Sequence, residues 1–187
     1  MVSGKRRSEP LILDACCLIN LLASGRTEEI FRVLPYQFAT SRLIATEEIL
    51  AIAQIDAEGV PIGREVIVPS VLEGLENLSL LDLVTTQEME DFLLLAKELG
   101  RGESSILALA LSHRGVVATD DRKALKVLAR RAPHVSTMQT PELLYEWAQL
   151  SQAQDDVIRE VLQRIRFRGR FHPNRDAPRF DWWVGYL

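Results

Sequence analysis

Short apolar runs alternate along the chain with longer segments whose apolar residues recur at helical spacing. The short runs predict strands at residues 11–13, 37–40, 66–68, 80–84, 116–118 and 135–137. The longer segments predict helices at residues 15–23, 28–34, 41–53, 85–99, 102–113, 122–131 and 155–165, with another that starts at residue 140. Strands that alternate with helices are typical of a parallel sheet covered by helices on both faces. We therefore predict an α/β fold.

The composition is that of a globular protein. Hydrophobic residues make up 47% of the 187 residues and charged residues 26%, which excludes a disordered chain, a collagen and a coiled-coil rod. The longest apolar run, residues 106–111, is much shorter than the roughly 20 residues that span a membrane. Cys16 and Cys17 are the only cysteines, and neighbouring cysteines rarely bond to each other, so we expect reduced thiols. Ser8, Glu9, Pro10 and Asp14 interrupt the apolar region that a secretory signal would need after the basic residues 5–7, so we expect no such signal and a cytoplasmic protein.

Charge is distributed unevenly over the chain. The net charge is −4, but residues 162–180 contain six arginines and one acid, which gives +5 there and −9 elsewhere. The composition also changes after Gln149, where a tail rich in Arg, Phe, Pro and Trp follows the predicted helix 155–165. We therefore divide the chain into a domain over residues 10–150 and a C-terminal helix with a basic, aromatic extension over residues 151–187.

Acidic residues stand at or near the ends of predicted strands. They are Asp14 after the strand 11–13, Glu47 and Glu48 on the helix after the strand 37–40, Glu103 at the start of the apolar helix 102–113, and Asp120 and Asp121 after the strand 116–118. Ligands of parallel α/β sheets bind beyond the C-terminal ends of the strands. We therefore expect these acids to converge on one crevice.

Crowded carboxylates favour a divalent cation. They repel one another and raise each other's pKa unless a cation neutralises them, and Mg²⁺ and Mn²⁺ prefer such oxygen ligands. These ions activate water for attack on a phosphoryl group. The histidines His113, His134 and His172 show no metal-ligand spacing. Each acid taken alone also fits a helix cap, a first helical turn or a solvated helix face, but their combination favours a metal site for phosphodiester hydrolysis.

Three segments, in this order, resemble the PIN-domain family, the metal-dependent ribonuclease fold of VapC-type toxins. They are Leu-Ile-Leu-Asp-Ala-Cys-Cys-Leu-Ile-Asn at 11–20, Gly-Glu-Ser-Ser-Ile-Leu-Ala-Leu-Ala at 102–110 and Val-Val-Ala-Thr-Asp-Asp-Arg at 116–122. The resemblance covers roughly residues 10–145. It implies a three-layer α/β/α domain with a central parallel sheet that binds Mg²⁺ or Mn²⁺ and hydrolyses RNA. It further implies a toxin with a cognate antitoxin protein as partner, and a homodimer.

The resemblance also assigns roles to single residues. By position, the catalytic acids are Asp14, Glu47, Glu103 and Asp121. The metal ligands are Asp14, Glu103 and Asp121, with Asp120 beside them as a further ligand or a water-positioning group. Glu48 is the alternative to Glu47, because the register of that helix is open.

Two features depart from the family pattern. Cys16 stands where the family often has Ser or Thr, and a thiol is a weak hydrogen-bonding substitute. Residues 54–79 and the tail beyond residue 150 also make the chain longer than minimal members of the family. These departures keep open an alternative function as a catalytically weak PIN-fold binding or regulatory module. A Mg²⁺-dependent phosphatase is disfavoured, because Asp14 does not begin an Asp-x-Asp nucleophile loop.

Arginines alternate with apolar residues at positions 164–171. As a strand, this segment would place on one face the side chains of Arg164, Arg166, Arg168 and Arg170. Guanidinium groups bind phosphates and aromatic rings stack on unpaired bases, so we predict RNA binding there. Two alternatives stay open: the tail packs on the domain with its arginines paired to acidic groups, or it docks a partner protein or a second subunit.

Overall fold

The computed structural model describes residues 9–48, 50–57 and 59–187. The strands are β1 (Pro10–Leu13), β2 (Gln37–Ser41), β3 (Ala51–Ile55), β4 (Pro61–Val66), β5 (Leu78–Leu81), β6 (Val116–Ala118) and β7 (Thr137–Met138). The helices are α1 (Ala15–Ala23), α2 (Thr27–Val33), α3 (Arg42–Glu47), α4 (Pro69–Glu73), α5 (Thr86–Leu95), α6 (Arg101–His113), α7 (Arg122–Arg131), α8 (Thr140–Ser151), α9 (Asp155–Arg168) and α10 (Phe180–Gly185). Within these described ranges, no helix combines the length and the hydrophobicity that crossing a membrane requires.

The main sheet is parallel and has the strand order β5-β2-β1-β6-β7. β1 lies in the middle, where Ile12 pairs with Ala39 of β2 and with Val117 of β6. Leu11, Ile12 and Leu13 are all fully buried, because a central parallel strand is covered on both of its faces.

Helices form a layer on each face of the sheet. α1 packs with α2, α8 and α9, whereas α6 packs with α5 and α3 and lies against β1, β2 and β6. α5, α6 and α7 also line a common groove through Leu95, Leu107 and Val127. This three-layer α/β/α architecture with a central parallel sheet confirms the predicted fold class.

The C-terminal helix and tail contribute to the same hydrophobic core. The core includes the helically spaced residues Ile158, Val161, Leu162 and Ile165 of α9, together with the fully buried Trp183 of α10. This spacing confirms the predicted helix at residues 155–165 and extends it to Arg168, so the first five residues of the segment 164–171 are helical and the strand that would have aligned its arginines does not form. Several tail aromatics pack on the domain, as Trp182 does against Tyr145 with ring centroids 5.5 Å apart.

The predicted helix over residues 41–53 is wrong in its second half. α3 ends at Glu47, and the following apolar residues form β3, which pairs with β4 in an antiparallel hairpin. The edge strand predicted at residues 66–68 lies earlier, as β4, and pairs in this hairpin rather than in the main sheet. Short apolar runs do not distinguish a helix from a strand by periodicity, so the pairing partner decides.

Candidate functional site

The strand order places the predicted acids at a reversal of the sheet. The chain builds the sheet outward from β1 through β2 to β5, and then returns to the other side of β1 to form β6 and β7. Such a reversal opens a crevice at the C-terminal ends of the two strands that flank it, here β1 and β6. Asp14 directly follows β1, and Thr119, Asp120 and Asp121 follow β6. The two acidic strand ends therefore meet at this crevice.

Asp14 is a buried carboxylate held by three donors. It is 5% exposed and caps α1, because Oδ1 accepts a hydrogen bond from the Ala15 N–H at 2.8 Å. Oδ2 accepts hydrogen bonds from the Thr119 hydroxyl at 2.7 Å and from the Cys16 thiol at 3.3 Å. Burial raises the pKa of Asp14 and the charge of Asp121 adds to the rise, while the hydrogen bonds oppose it. Asp14 is therefore fixed in orientation beside a second acid.

Glu48 faces Asp14 and Glu103 from the end of α3. Its carboxylate lies against Gly102 in the first turn of α6, next to Glu103. Partial burial raises the pKa of Glu48 to about 7, and the charges of Asp14 and Glu103 add to the rise. Among the described residues, no group donates a hydrogen bond to the side chain of Glu48 or Glu103, and neither forms an ion pair. Three carboxylates from three elements thus share one region, and none of them pairs with a cationic side chain in the described part of the chain.

Glu47, which the resemblance implies as a catalytic acid, lies outside this group. Its side chain is 47% exposed, and its Oε1 is 3.1 Å from Nη2 of Arg101. The difference arises because α3 ends between the two glutamates: Glu48 has an extended backbone, with φ −94° and ψ 139°. The structure therefore favours Glu48, the alternative that the sequence left open, as the partner of Asp14.

Asp120 and Asp121 are adjacent but have different surroundings. Asp121 caps α7 through Oδ1, which accepts from the Ala124 N–H at 2.7 Å, and its Oδ2 accepts no hydrogen bond from the described residues. Asp120 accepts from the N–H of Thr140 at 2.9 Å, from the hydroxyl of Thr140, and from the amide of Asn20 at 3.1 Å. Burial raises the pKa of Asp120 despite these bonds. Asp121 thus keeps a free oxygen, whereas Asp120 fastens its loop to α1 and α8.

Buried neutral polar residues complete the site, and the sequence analysis did not single them out. Thr119 connects the two strand ends, because its hydroxyl donates to Asp14 and accepts from the Asp121 N–H at 3.1 Å. Thr119 and Asn20 lie within the segments that carry the resemblance, so the polar residues of those segments could have been predicted as part of the site. Thr140 is remote in sequence from both segments, and only the fold brings it to Asp120.

One compact group of potential metal ligands is rich in sulfur. Within the described ranges, ligand atoms of Cys16, Cys17 and Asp120 lie within 4.8 Å of one another, and no trio of the predicted carboxylates does. Burial raises the pKa of the Cys17 thiol well above its ordinary value, so the thiol keeps its proton at neutral pH. The carboxylate of Asp120 is already occupied by Asn20 and Thr140. This group does not fit Mg²⁺ or Mn²⁺, which bind oxygen ligands.

Four of the acidic side chains fit a hard cation by their chemistry. Asp14, Glu48, Glu103 and Asp121 form no ion pair with any described Lys, Arg or His. All of their potential ligand atoms are oxygens, which Mg²⁺ and Mn²⁺ prefer. These side chains are therefore the ones that would hold a divalent ion.

The basic residues of the tail do not share one face. The set predicted to bind RNA consists of Arg164, Arg166, Arg168 and Arg170. Arg164 lies 2.9 Å from Glu160 of its own helix, whereas Arg168 reaches Glu65 of β4 at 3.2 Å. Arg170 lies beyond the end of α9, with a left-handed backbone at φ 55°. The helix thus separates side chains that a strand would have aligned.

Comparison with known proteins identifies no relative. No protein-family model, no curated protein and no solved structure matches the chain. The likeness to PIN domains therefore rests on the three sequence segments alone, and the geometry of the site is an observation independent of it.

Proposed function

We propose that this protein is a Mg²⁺- or Mn²⁺-dependent endoribonuclease whose cation is held by Asp14, Glu48, Glu103 and Asp121. One observation carries the proposal: Glu48 lies near Asp14 and Glu103, and Asp14 also lies near Asp121, while no described cationic side chain pairs with these carboxylates. An acidic crevice with oxygen ligands only suits a hard cation, and phosphodiester hydrolysis is a reaction that such a cation promotes.

The residues of the chain have separate roles in this proposal. Thr119 and Cys16 hold Oδ2 of Asp14 in place, so the first ligand is oriented before a cation arrives. Asp121 offers Oδ2, because only its Oδ1 is used to cap α7. Glu48 must release its proton to act as a ligand, so its raised pKa couples cation binding to pH. A bound cation would stabilise the negative charge that develops on the phosphoryl oxygens and would lower the pKa of a water molecule.

The metal site can be tested without RNA. Calorimetric titration with Mn²⁺ at pH 8 is expected to show binding to the wild type and binding at least about tenfold weaker in Glu48→Gln. Glu47→Gln is the matched control, because it removes the same charge from the adjacent residue, which faces Arg101. An equal decrease of Mn²⁺ affinity in both variants, or no Mn²⁺ binding by the wild type, would refute the site.

The reaction is tested with a labelled single-stranded RNA. Cleavage is expected with Mn²⁺ or Mg²⁺, and none with EDTA or with the Asp14→Asn variant. RNA binding without cleavage under all of these conditions would refute the nuclease and support the alternative of a binding module. One observation favours that alternative: both oxygens of Asp14, the first proposed ligand, already accept hydrogen bonds, from three donors in all.

The toxin role belongs to the same proposal and rests on the sequence resemblance. Induced expression of the wild-type chain is expected to arrest bacterial growth, and expression of Asp14→Asn is not. Arrest by both variants, or by neither, would contradict a toxin that acts by RNA cleavage. A cognate antitoxin would then be recognised as a protein whose co-expression restores growth.

A further inference from the structure

A cleft with basic side chains lies between the β3–β4 hairpin and the end of α9. Its volume is about 400 Å³, and its lining combines small and apolar residues of both hairpin strands with Arg64, Arg168, Gly169 and Arg170. No acidic side chain is among the described residues that line it. We call this site the arginine cleft. Because β4 and α9 are remote in sequence, only the fold brings the three guanidinium groups together.

The arginines of the cleft differ in how firmly they are held. Arg168 is anchored, because its Nε donates to the Ala53 carbonyl at 3.4 Å and its Nη2 lies 3.2 Å from Glu65. Arg64 and Arg170 are exposed and have no ion-pair partner among the described residues. Guanidinium groups bind phosphate oxygens through fixed pairs of N–H donors. The cleft therefore offers one guanidinium group that is fixed in position and two that form no ion pair with any described residue.

Two connections place the arginine cleft next to the acidic crevice. Ala51 lines the cleft and lies three residues after Glu48, so their Cα atoms are at most about 11 Å apart. Gly169 also lines the cleft, and a Cβ atom at that position would be 2.9 Å from Oδ1 of Asn20. The amide of Asn20 in turn holds Asp120. The arginine cleft and the acidic crevice are therefore neighbours in the fold.

We infer that the arginine cleft binds the phosphate backbone of single-stranded RNA and guides the strand to the acidic crevice. The inference rests on the proposed ribonuclease function and assigns its substrate-binding surface. An acidic crevice repels a polyanion, so a nearby cationic surface is needed to hold the strand. The binding comes from Arg64 on the hairpin together with Arg168 and Arg170, and not from the basic stretch 164–170 as a whole.

The experiment measures RNA binding by fluorescence anisotropy over a range of salt concentrations, in EDTA so that no cleavage occurs. Arg64→Gln and Arg170→Gly are each expected to weaken binding at low salt and to reduce the slope of log K against log salt by about 0.7. The double variant is expected to reduce the slope by about twice that amount. Gly at position 170 fits the left-handed backbone, so this substitution removes the side chain without strain.

Arg166→Gln is the matched control. It removes the same charge from the last turn of α9, four residues before Arg170, but Arg166 is not among the residues that line the cleft. An unchanged slope in this variant supports the cleft, whereas an equal decrease in all variants means that the whole basic stretch attracts RNA, and it overturns the inference. Absence of RNA binding by the wild type at low salt also overturns it. Thermal unfolding of each variant verifies that the fold is intact.

The inference and the proposed function fail in distinguishable ways. If the wild type binds RNA through the cleft but cleaves none with Mn²⁺, the inference stands and the nuclease is refuted. If the wild type cleaves RNA and the Arg64→Gln/Arg170→Gly double variant cleaves it with the same KM, the nuclease stands and the cleft is refuted.

Discussion

The carboxylate of Glu48 lies so close to Gly102 that a Cβ atom at residue 102 would overlap Oε1 of Glu48. This contact fixes where Glu48 can lie: the glycine in the first turn of α6 leaves the space that the carboxylate occupies beside Glu103. The end of α3 and the beginning of α6 are thereby joined at the acidic crevice.

Gly102→Ala tests this contact. The added methyl group is expected to displace the end of the Glu48 side chain, and Mn²⁺ binding is expected to weaken by about tenfold. The free energy of unfolding is expected to change by no more than about 1 kcal/mol, because a flexible side chain moves and Ala favours a helix over Gly. Gly185→Ala is the control, since nothing lies within 4 Å of a Cβ atom there. Unchanged Mn²⁺ affinity in Gly102→Ala would contradict the role of the contact.

Glu48 is expected to make stability depend on pH. Its pKa is about 7 in the folded protein against 4.5 ordinarily, so the folded state binds this proton more tightly than the unfolded state does. The tighter binding of this proton stabilises the folded state fully below pH 4.5, and the stabilisation is lost as the pH rises through about 7. Glu48→Gln, which cannot ionise, is therefore expected to unfold at a higher temperature than the wild type at pH 8 and at nearly the same temperature at pH 4.5.

The control for this pH dependence is Glu47→Gln. Glu47 is exposed and paired with Arg101, so its replacement is not expected to stabilise the protein at pH 8. Calorimetric melts of the two variants at both pH values, in EDTA, provide the measurement. An equal rise of the melting temperature at pH 8 in both variants would show that the loss of any negative charge, and not the position of Glu48, causes the stabilisation.

Thr119→Val is expected to destabilise the protein by about 1–3 kcal/mol. The substitution keeps the shape of the side chain but removes the donor to Oδ2 of the buried Asp14, which then retains only the weak Cys16 thiol on that oxygen. Thr119→Ser keeps the hydroxyl and is expected to lose about 1 kcal/mol, for one methyl group. Urea unfolding at pH 7 measures both. A larger loss for Ser than for Val would mean that packing, and not the hydrogen bond, dominates at Thr119.

Trp183→Ala tests whether the C-terminal tail is part of the core. Trp183 is fully buried and its ring contacts Phe171 edge to face, with centroids 5.5 Å apart, so its truncation is expected to cost about 3–5 kcal/mol. Trp182→Ala is expected to cost less, because Trp182 is only partly buried. Circular dichroism during urea unfolding should show one transition in each variant. A small decrease of the free energy of unfolding in Trp183→Ala, or a separate transition for the tail, would show that the tail is independent of the domain.

Several features were accessible from the sequence because they depend on local patterns. The apolar run before Asp14 and the run before Asp120 predict buried strands, and parallel strands necessarily present their C-terminal ends at one edge. The apolar residues that follow Glu103 likewise predict a buried helix, which α6 is. The α/β class and the approximate place of the crevice follow from these patterns alone.

Tertiary structure decided the features that depend on distant partners. Helical periodicity extended through Glu48 to residue 53, but the pairing of β3 with β4 ends α3 at Glu47 and turns Glu48 toward α6. In the same way, the core-facing residues of α9 make a helix of a segment whose alternating arginines resembled a strand. Local sequence indicates which residues are buried and the period at which buried residues recur. Where an element ends, and which side chains become neighbours, depend on residues far along the chain.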